Sequence, residues 1–211
     1  YINGMKMPIK QITQKAGYFV SLNKDFIHSW TMPEHICDEI LDFYHNNTDL
    51  QKPGVLEYGE SNTVVSDDKK ATEIHISPNN TDEPFGTYRG YLQLGLEEYM
   101  KVYPHINNMC AFNVLETYNI QHYKKNEGFK VEHFERTGQF NYTVKRCLVF
   151  MTYLNDLDAG GTRFVYQDRT IKAVKGKSLI FPSDWTHAHV GQISSTQEKT
   201  IVTGWFSYLW D

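Results

Sequence analysis

Apolar residues recur along the chain with two different periods. In two places they fall at three- and four-residue steps, the spacing of a helix face. Over residues 84–103 the stripe is Tyr88, Leu92, Leu96, Tyr99 and Tyr103, with Pro84 at its start, which predicts a helix packed on a sheet. The other place follows Thr31. Glu34 stands three residues after Thr31, in capping-box order, and Pro33 sits early. Ile36, Ile40, Leu41 and Tyr44 supply the apolar face. His35 and His45 lie on this helix and are expected at its surface.

Elsewhere the runs are short, aromatic or β-branched, and bounded by turn residues, which predicts strands. Residues 17–20 and 26–27 are the first such runs. Residues 46–83 are polar and rich in Asn, Asp, Gly and Ser, with strand-like pieces at 63–65 and 73–76. They read as a long excursion of the kind that carries substrate contacts. Residues 112–123 form one or two strands, with Val114, Tyr118 and Ile120 on one face and Asn119, Gln121 and Tyr123 on the other. Residues 147–154 are a strongly apolar strand, and 155–161 are a turn ending in Gly160-Gly161. Residues 163–166, 171–174, 178–181 and 201–208 complete the set. This order predicts a mainly β fold with flanking helices, a sandwich or barrel. No internal repeat, low-complexity tract or linker divides the 211 residues, so a single domain over 1–211 is expected.

Composition narrows the class. A net charge of −4 argues against a nucleic-acid-binding surface. No apolar run reaches the length of a membrane span, and no secretory signal is visible. Cys37, Cys110 and Cys147 are widely separated and form no CxxC pair, as expected of reduced thiols in a cytoplasmic protein, or in the host cytoplasm for a viral one.

The candidate chemistry lies in two segments. His133 and Glu135 are two residues apart, so in an extended strand both point the same way. His187 and His189 lie near the end of the β block, and either is placed to add a second imidazole. Two imidazoles and one carboxylate, with open positions opposite, suit non-haem Fe(II) that must also bind a cosubstrate and oxygen. An HxE pair alone is a weak signal; the later histidine, drawn from a distant strand, strengthens it.

With these residues in view, the chain resembles the prolyl 4-hydroxylase-like branch of the Fe(II)/2-oxoglutarate oxygenases, which includes the HIF prolyl hydroxylases. It looks closest to members from marine bacteria and their phages. The anchors are Tyr123 ten residues before His133, the run YLND at 153–156, Gly160-Gly161-Thr162-Arg163-Phe164, Phe181-Pro182, His189 with Lys199 ten residues on, and Trp205. The resemblance covers about residues 112–208 and implies a double-stranded β-helix, a jelly roll flanked by helices. It implies that His133, Glu135 and His189 hold the iron. The Lys199 spacing selects His189 over His187, which becomes a neighbour at the mouth of the site or an exposed residue. Lys199 is implied to pair with the distal carboxylate of 2-oxoglutarate, with Tyr123 and Tyr153 contacting that cosubstrate and Thr203 and Trp205 lining the pocket. Most of the family has HxD, whereas this chain has Glu135, still a hard oxygen ligand. The implied reaction consumes 2-oxoglutarate and O2, releases succinate and CO2, and hydroxylates a substrate. A prolyl residue in a peptide is the family expectation, with free amino acids, nucleotides and lipids as other classes. A non-catalytic jelly-roll module with a structural metal is the main alternative, and a cupin-like isomerase or zinc hydrolase a further one. Lys199 and the two tyrosines speak against a purely structural metal, which needs no dicarboxylate pocket.

Overall fold

In a computed structural model, residues 25–58, 62–64 and 67–209 are described; the strand expected at 17–20 lies outside them. The chain enters its first described strand, β1 (His28–Thr31), just after the expected position at 26–27, because Phe26 sits at φ 59°. Thr31 ends this strand, paired with Lys177, and does not cap the helix that follows. Helix α1 (Glu34–Asn46) starts after Pro33 with no side-chain cap. Its buried face is Ile36, Cys37, Ile40 and Tyr44, with Leu41 packed beside it, and His35 and His45 are exposed.

Four strands follow: β2 (Lys52–Pro53), β3 (Leu56–Tyr58), β4 (Asn62–Val64) and β5 (Thr72–Ile76). β3 and β4 pair only with each other among the described residues. β5, by contrast, is no excursion, because it pairs with β7 in the main sheet. Helix α2 (Phe85–Val102) buries Tyr88, Leu92, Leu96 and Tyr99 of the predicted stripe, while Tyr103 follows its last residue and is half-buried. Then come β6 (Phe112–Asn113), β7 (Tyr118–Tyr123), α3 (Asn141–Lys145), β8 (Arg146–Tyr153), β9 (Thr162–Phe164) and β10 (Arg169–Ile171). The chain closes through β11 (Lys177–Pro182), β12 (His189–Gly191) and β13 (Lys199–Tyr208). Val114 falls between β6 and β7, and β10 ends at Ile171, where a strand was expected to begin.

The main sheet runs β1-β11-β8-β13-β7-β5-β2, with β6 added to β13. A smaller sheet, β10-β9-β12, is also antiparallel. Alternation sorts the main sheet's side chains onto two faces. One face sends Leu148, Phe150, Ile180, Val202, Ile120 and Ile74 against α1 and α2. The opposite face sends Val149, Met151, Tyr153, Leu179 and Phe181 against Phe164 and Ile171 of the small sheet. β8 is therefore buried along its whole length. This two-sided burial explains why its sequence reads as an unbroken apolar run.

The Gly160-Gly161 turn has a steric cause. Gly160 sits at φ 118°, and a Cβ on Gly161 would meet the Ile171 carbonyl oxygen at 2.1 Å. Only glycine allows this close passage of β9 past β10. Cys37, Cys110 and Cys147 are free thiols. Among the described residues no helix is long and apolar enough to cross a membrane.

Candidate active site

The segment carrying His133 and Glu135 is not a regular strand. A single antiparallel bridge joins it to β12: His133 N–H donates to His189 O at 3.0 Å, and His189 N–H donates back to His133 O at 2.9 Å. This reciprocal pair puts the two imidazoles side by side, ring centres 4.5 Å apart. Further along, the N–H groups of Glu135 and Arg136 both donate to Ser183 O at 3.0 Å. Ser183 is tied in turn to β8 through Cys147 O at 3.1 Å and Arg146 O at 2.7 Å. The backbone thus fixes the segment at both ends of the HxE motif.

Ligand atoms of His133, Glu135 and His189 lie within 4.8 Å of one another. Glu135 Oε1 is 3.4 Å from His133 Nε2 and 3.9 Å from His189 Nε2. Each histidine turns its other nitrogen to a backbone carbonyl: His133 Nδ1 to Val131 O at 2.8 Å, and His189 Nδ1 to His187 O at 2.9 Å. A carbonyl only accepts, so Nδ1 of each ring carries a proton, and Nε2 is the atom turned to Glu135. Donors set in this way are the usual outer support of imidazoles that hold a metal. The first effect of burial is to raise the Glu135 carboxyl, but His133, Arg146 and His189 outweigh it and hold the group well below the carboxylate range. Burial, with His133 alongside, pushes His189 down to about 4, so it is neutral near pH 7.

The three residues line a cavity of about 110 Å³ that also includes Lys199, Tyr123, Tyr153, Thr203 and Trp205. Every site residue expected from the sequence therefore opens onto one pocket. Lys199 is 5% exposed. Its ammonium donates to Gln192 O at 2.9 Å and lies 4.9 Å from the Tyr123 ring centre. Among the described residues no carboxylate is within ion-pair distance of it, and burial pushes its pKa down to about 8. Tyr123 OH donates to Gln121 Oε1 at 2.7 Å, and the Tyr153 and Thr162 hydroxyls are hydrogen-bonded to each other at 2.6 Å. Burial raises both phenols, so they remain hydrogen-bonding hydroxyls. Thr203 Oγ1 donates to Phe150 O at 3.3 Å.

His187 departs from expectation. It neither lines the mouth nor lies exposed; it is 4% exposed in a short 3-10 turn (Trp185–His187), with Nε2 against Asp25 O at 2.8 Å. Its carbonyl, not its ring, serves the site, by holding His189.

Sequence reasoning passed over several residues in or behind the pocket. Arg146, read as the residue before an apolar strand, has its guanidinium 3.6 Å from the Trp205 ring centre. Half-buried Lys69 pairs with the buried Glu73 at 2.7 Å, and Lys69 lines the same cavity. Phe129 stacks on His133 at 3.8 Å. The period-two parity of β5 offered the only signal: Glu73 lies opposite the Ile74 and Ile76 face and pairs in register with Gln121.

Residues 118–207 match the model of the 2OG-Fe(II) oxygenase superfamily. Among solved structures, the fold is similar to a Pseudomonas putida prolyl-4-hydroxylase (TM-score 0.64, 14% identity, 88% of this chain and 94% of that one). It is similar to a viral collagen prolyl hydroxylase from Paramecium bursaria Chlorella virus-1 solved with 2OG (TM-score 0.63, 15% identity, 87% and 97%). A prolyl hydroxylase from Trichoplax adhaerens, solved with a hypoxia-inducible-factor peptide, is comparable (TM-score 0.63, 15% identity, 88% and 85%). At these identities the likeness speaks to the jelly-roll fold. No curated protein sequence matches the chain.

Proposed function

We propose, from the premise that residues 118–207 belong to the 2OG-Fe(II) oxygenase superfamily, that His133, Glu135 and His189 hold the ferrous ion and Lys199 anchors 2-oxoglutarate. The reaction hydroxylates a substrate, and a prolyl residue in a peptide is the substrate we favour. The observation that carries this reading is Lys199: a buried cation on the wall of the pocket that holds the His-Glu-His cluster, with no anionic partner among the described residues. An unpaired buried charge costs several kcal/mol, of the order of the penalty for one partner of a buried pair. A dicarboxylate held in the same cavity, with one carboxylate against Lys199, would remove that penalty.

When bound, iron and 2-oxoglutarate supply the oxidative chemistry, in which O2 is consumed, succinate and CO2 are released, and a C–H bond becomes C–OH. The chain's residues set the geometry. The paired Nδ1–H bonds aim both Nε2 lone pairs at one point. Glu135 would add one negative charge to that ligand set, and three protein donors would leave a ferrous ion able to take further ligands. Tyr123 and Tyr153 line the same cavity and would contact the cosubstrate, and Ile201, Met151 and Phe129 add apolar surface to its wall. The prolyl assignment draws on the prolyl hydroxylases among the similar structures, one of them holding a peptide.

The test is succinate formation by the iron-loaded protein with 2-oxoglutarate and proline-containing peptides, against His133→Ala. Peptide-stimulated succinate with a mass gain of one oxygen on proline supports the reading. Succinate stimulated only by non-prolyl substrates removes the prolyl assignment and keeps the oxygenase. No succinate under any condition removes both.

A further inference from the structure

We propose that Trp205 and Arg146 are positioning residues that dictate which oxygen of Glu135 meets the metal, and that they fit the site to glutamate. This rests on the reading of Glu135 as a ligand. A carboxylate offers two equivalent oxygens, and glutamate has one more rotatable bond than aspartate. Left free, it is able to present either oxygen or both, and binding through both would occupy an additional metal position.

Here the two oxygens are not equivalent. Oε1 faces the two histidine Nε2 atoms at 3.4 and 3.9 Å. Oε2 accepts the indole N–H of Trp205 at 3.0 Å and faces Arg146 Nη1 at 3.4 Å. Arg146 is itself immobilised. Its Nε and Nη2 grip Glu116 Oε2 at 3.0 and 2.6 Å, and Ser207 Oγ donates to Glu116 Oε1 at 2.8 Å. Arg146 Nη1 also reaches the Glu135 carbonyl at 3.3 Å. The guanidinium lies 3.6 Å from the indole ring centre, so the stack holds both donors in place. Strand register sets the arrangement: Trp205 faces Val149 and Ser207 faces Arg146 across β8 and β13.

With Oε2 occupied by two N–H donors, only Oε1 is presented and the ligand is held single-toothed. Aspartate at this position, one methylene shorter, is unable to reach both the clamp and the histidine pair. The clamp thus supports the carboxylate in the way that a hydrogen-bonded partner supports a metal-bound imidazole.

The experiment uses the full chain, metal-free, titrated with Co(II), reading affinity and the visible d–d spectrum. Trp205→Phe keeps a ring under Arg146 and removes only the N–H. It is expected to weaken Co(II) about tenfold, within the range for lost outer-shell partners, and to alter the d–d bands, while the thermal midpoint of the metal-free protein stays put. Arg146→Lys, which keeps the charge but not the fork, is expected to weaken Co(II) similarly. Glu135→Asp is expected to lose affinity in the native background and to lose less again on top of Trp205→Phe, since both changes remove the same contact. Native Co(II) affinity and spectrum in both Trp205→Phe and Arg146→Lys, with binding abolished in Glu135→Ala, overturn the clamp and leave the ligand. Native Co(II) binding by Glu135→Ala overturns the ligand reading itself.

Discussion

Lys199 faces Tyr123 directly across β13 and β7, and its ammonium lies 4.9 Å from the phenol ring centre. The tyrosine's own hydroxyl is turned away to Gln121. The buried cation therefore rests on an aromatic face and a single carbonyl, and no carboxylate neutralises it among the described residues.

A pH dependence follows from that setting. Burial holds the free Lys199 near 8, and a bound carboxylate raises it, so the protonated form is the one that binds. Binding is independent of this group below about 8 and weakens above it, by up to about tenfold per pH unit until the pKa of the bound state is reached. Anaerobic calorimetry of 2-oxoglutarate binding across this range checks it, and Lys199→Met is expected to bind weakly with the slope gone.

The same burial loads the folded state. Because the folded pKa is lowered, the unfolded chain binds more protons between about 8 and the ordinary lysine value, and the burden is full below 8. Lys199→Met is expected to stabilise the ligand-free protein by up to about 3 kcal/mol near neutrality. Denaturant unfolding at pH 7 measures this; a destabilised variant would show that Lys199 is structurally compensated.

His133→Ala should remove metal binding with little cost to the fold. The side chain stacks on Phe129 and donates to Val131 O, while the bridge to His189 is made by backbone atoms. Metal added to the native protein is expected to raise its thermal midpoint, as a ligand of the folded state must, and to leave His133→Ala unmoved. A differential scan with and without Co(II) reads both.

A chain of buried hydroxyls crosses the face of the sheet that meets the helices: Tyr88 OH to Thr152 Oγ1 at 3.1 Å, and Thr152 Oγ1 to Ser178 Oγ at 2.8 Å. Thr152→Val leaves Tyr88 without that partner and is expected to cost about 1–3 kcal/mol. Urea unfolding measures it, with iron affinity unchanged because the chain lies on the opposite face from the metal cluster.

Much of this arrangement is legible in one dimension. The α2 stripe and the apolar run of β8 are set by burial on one or two faces, and periodicity reports burial. The parity of Asn119, Gln121 and Tyr123 already separated the pocket face of β7 from its core face. What failed depends on partners far away in the chain. Thr31 looks like a helix cap until Lys177 claims it for β1. Residues 73–76 look like a strand, but one set in an excursion, because the pairing partner of β5, β7, begins 42 residues after it. His133 and Glu135 share a direction because one bridge to His189 and two bonds to Ser183 hold them, not because a strand runs through them. Arg146 gave no local sign of reaching Glu135, since the contact needs β8, β13 and the HxE segment together.

The most direct measurement is an anaerobic titration of the purified protein with Fe(II) and then 2-oxoglutarate, following the weak visible charge-transfer absorption of a keto acid chelated to ferrous iron. The proposed site predicts the band in the native protein, its loss in His133→Ala, and a much higher 2-oxoglutarate requirement in Lys199→Met. Iron binding without the band, or an undiminished band in His133→Ala, would contradict it.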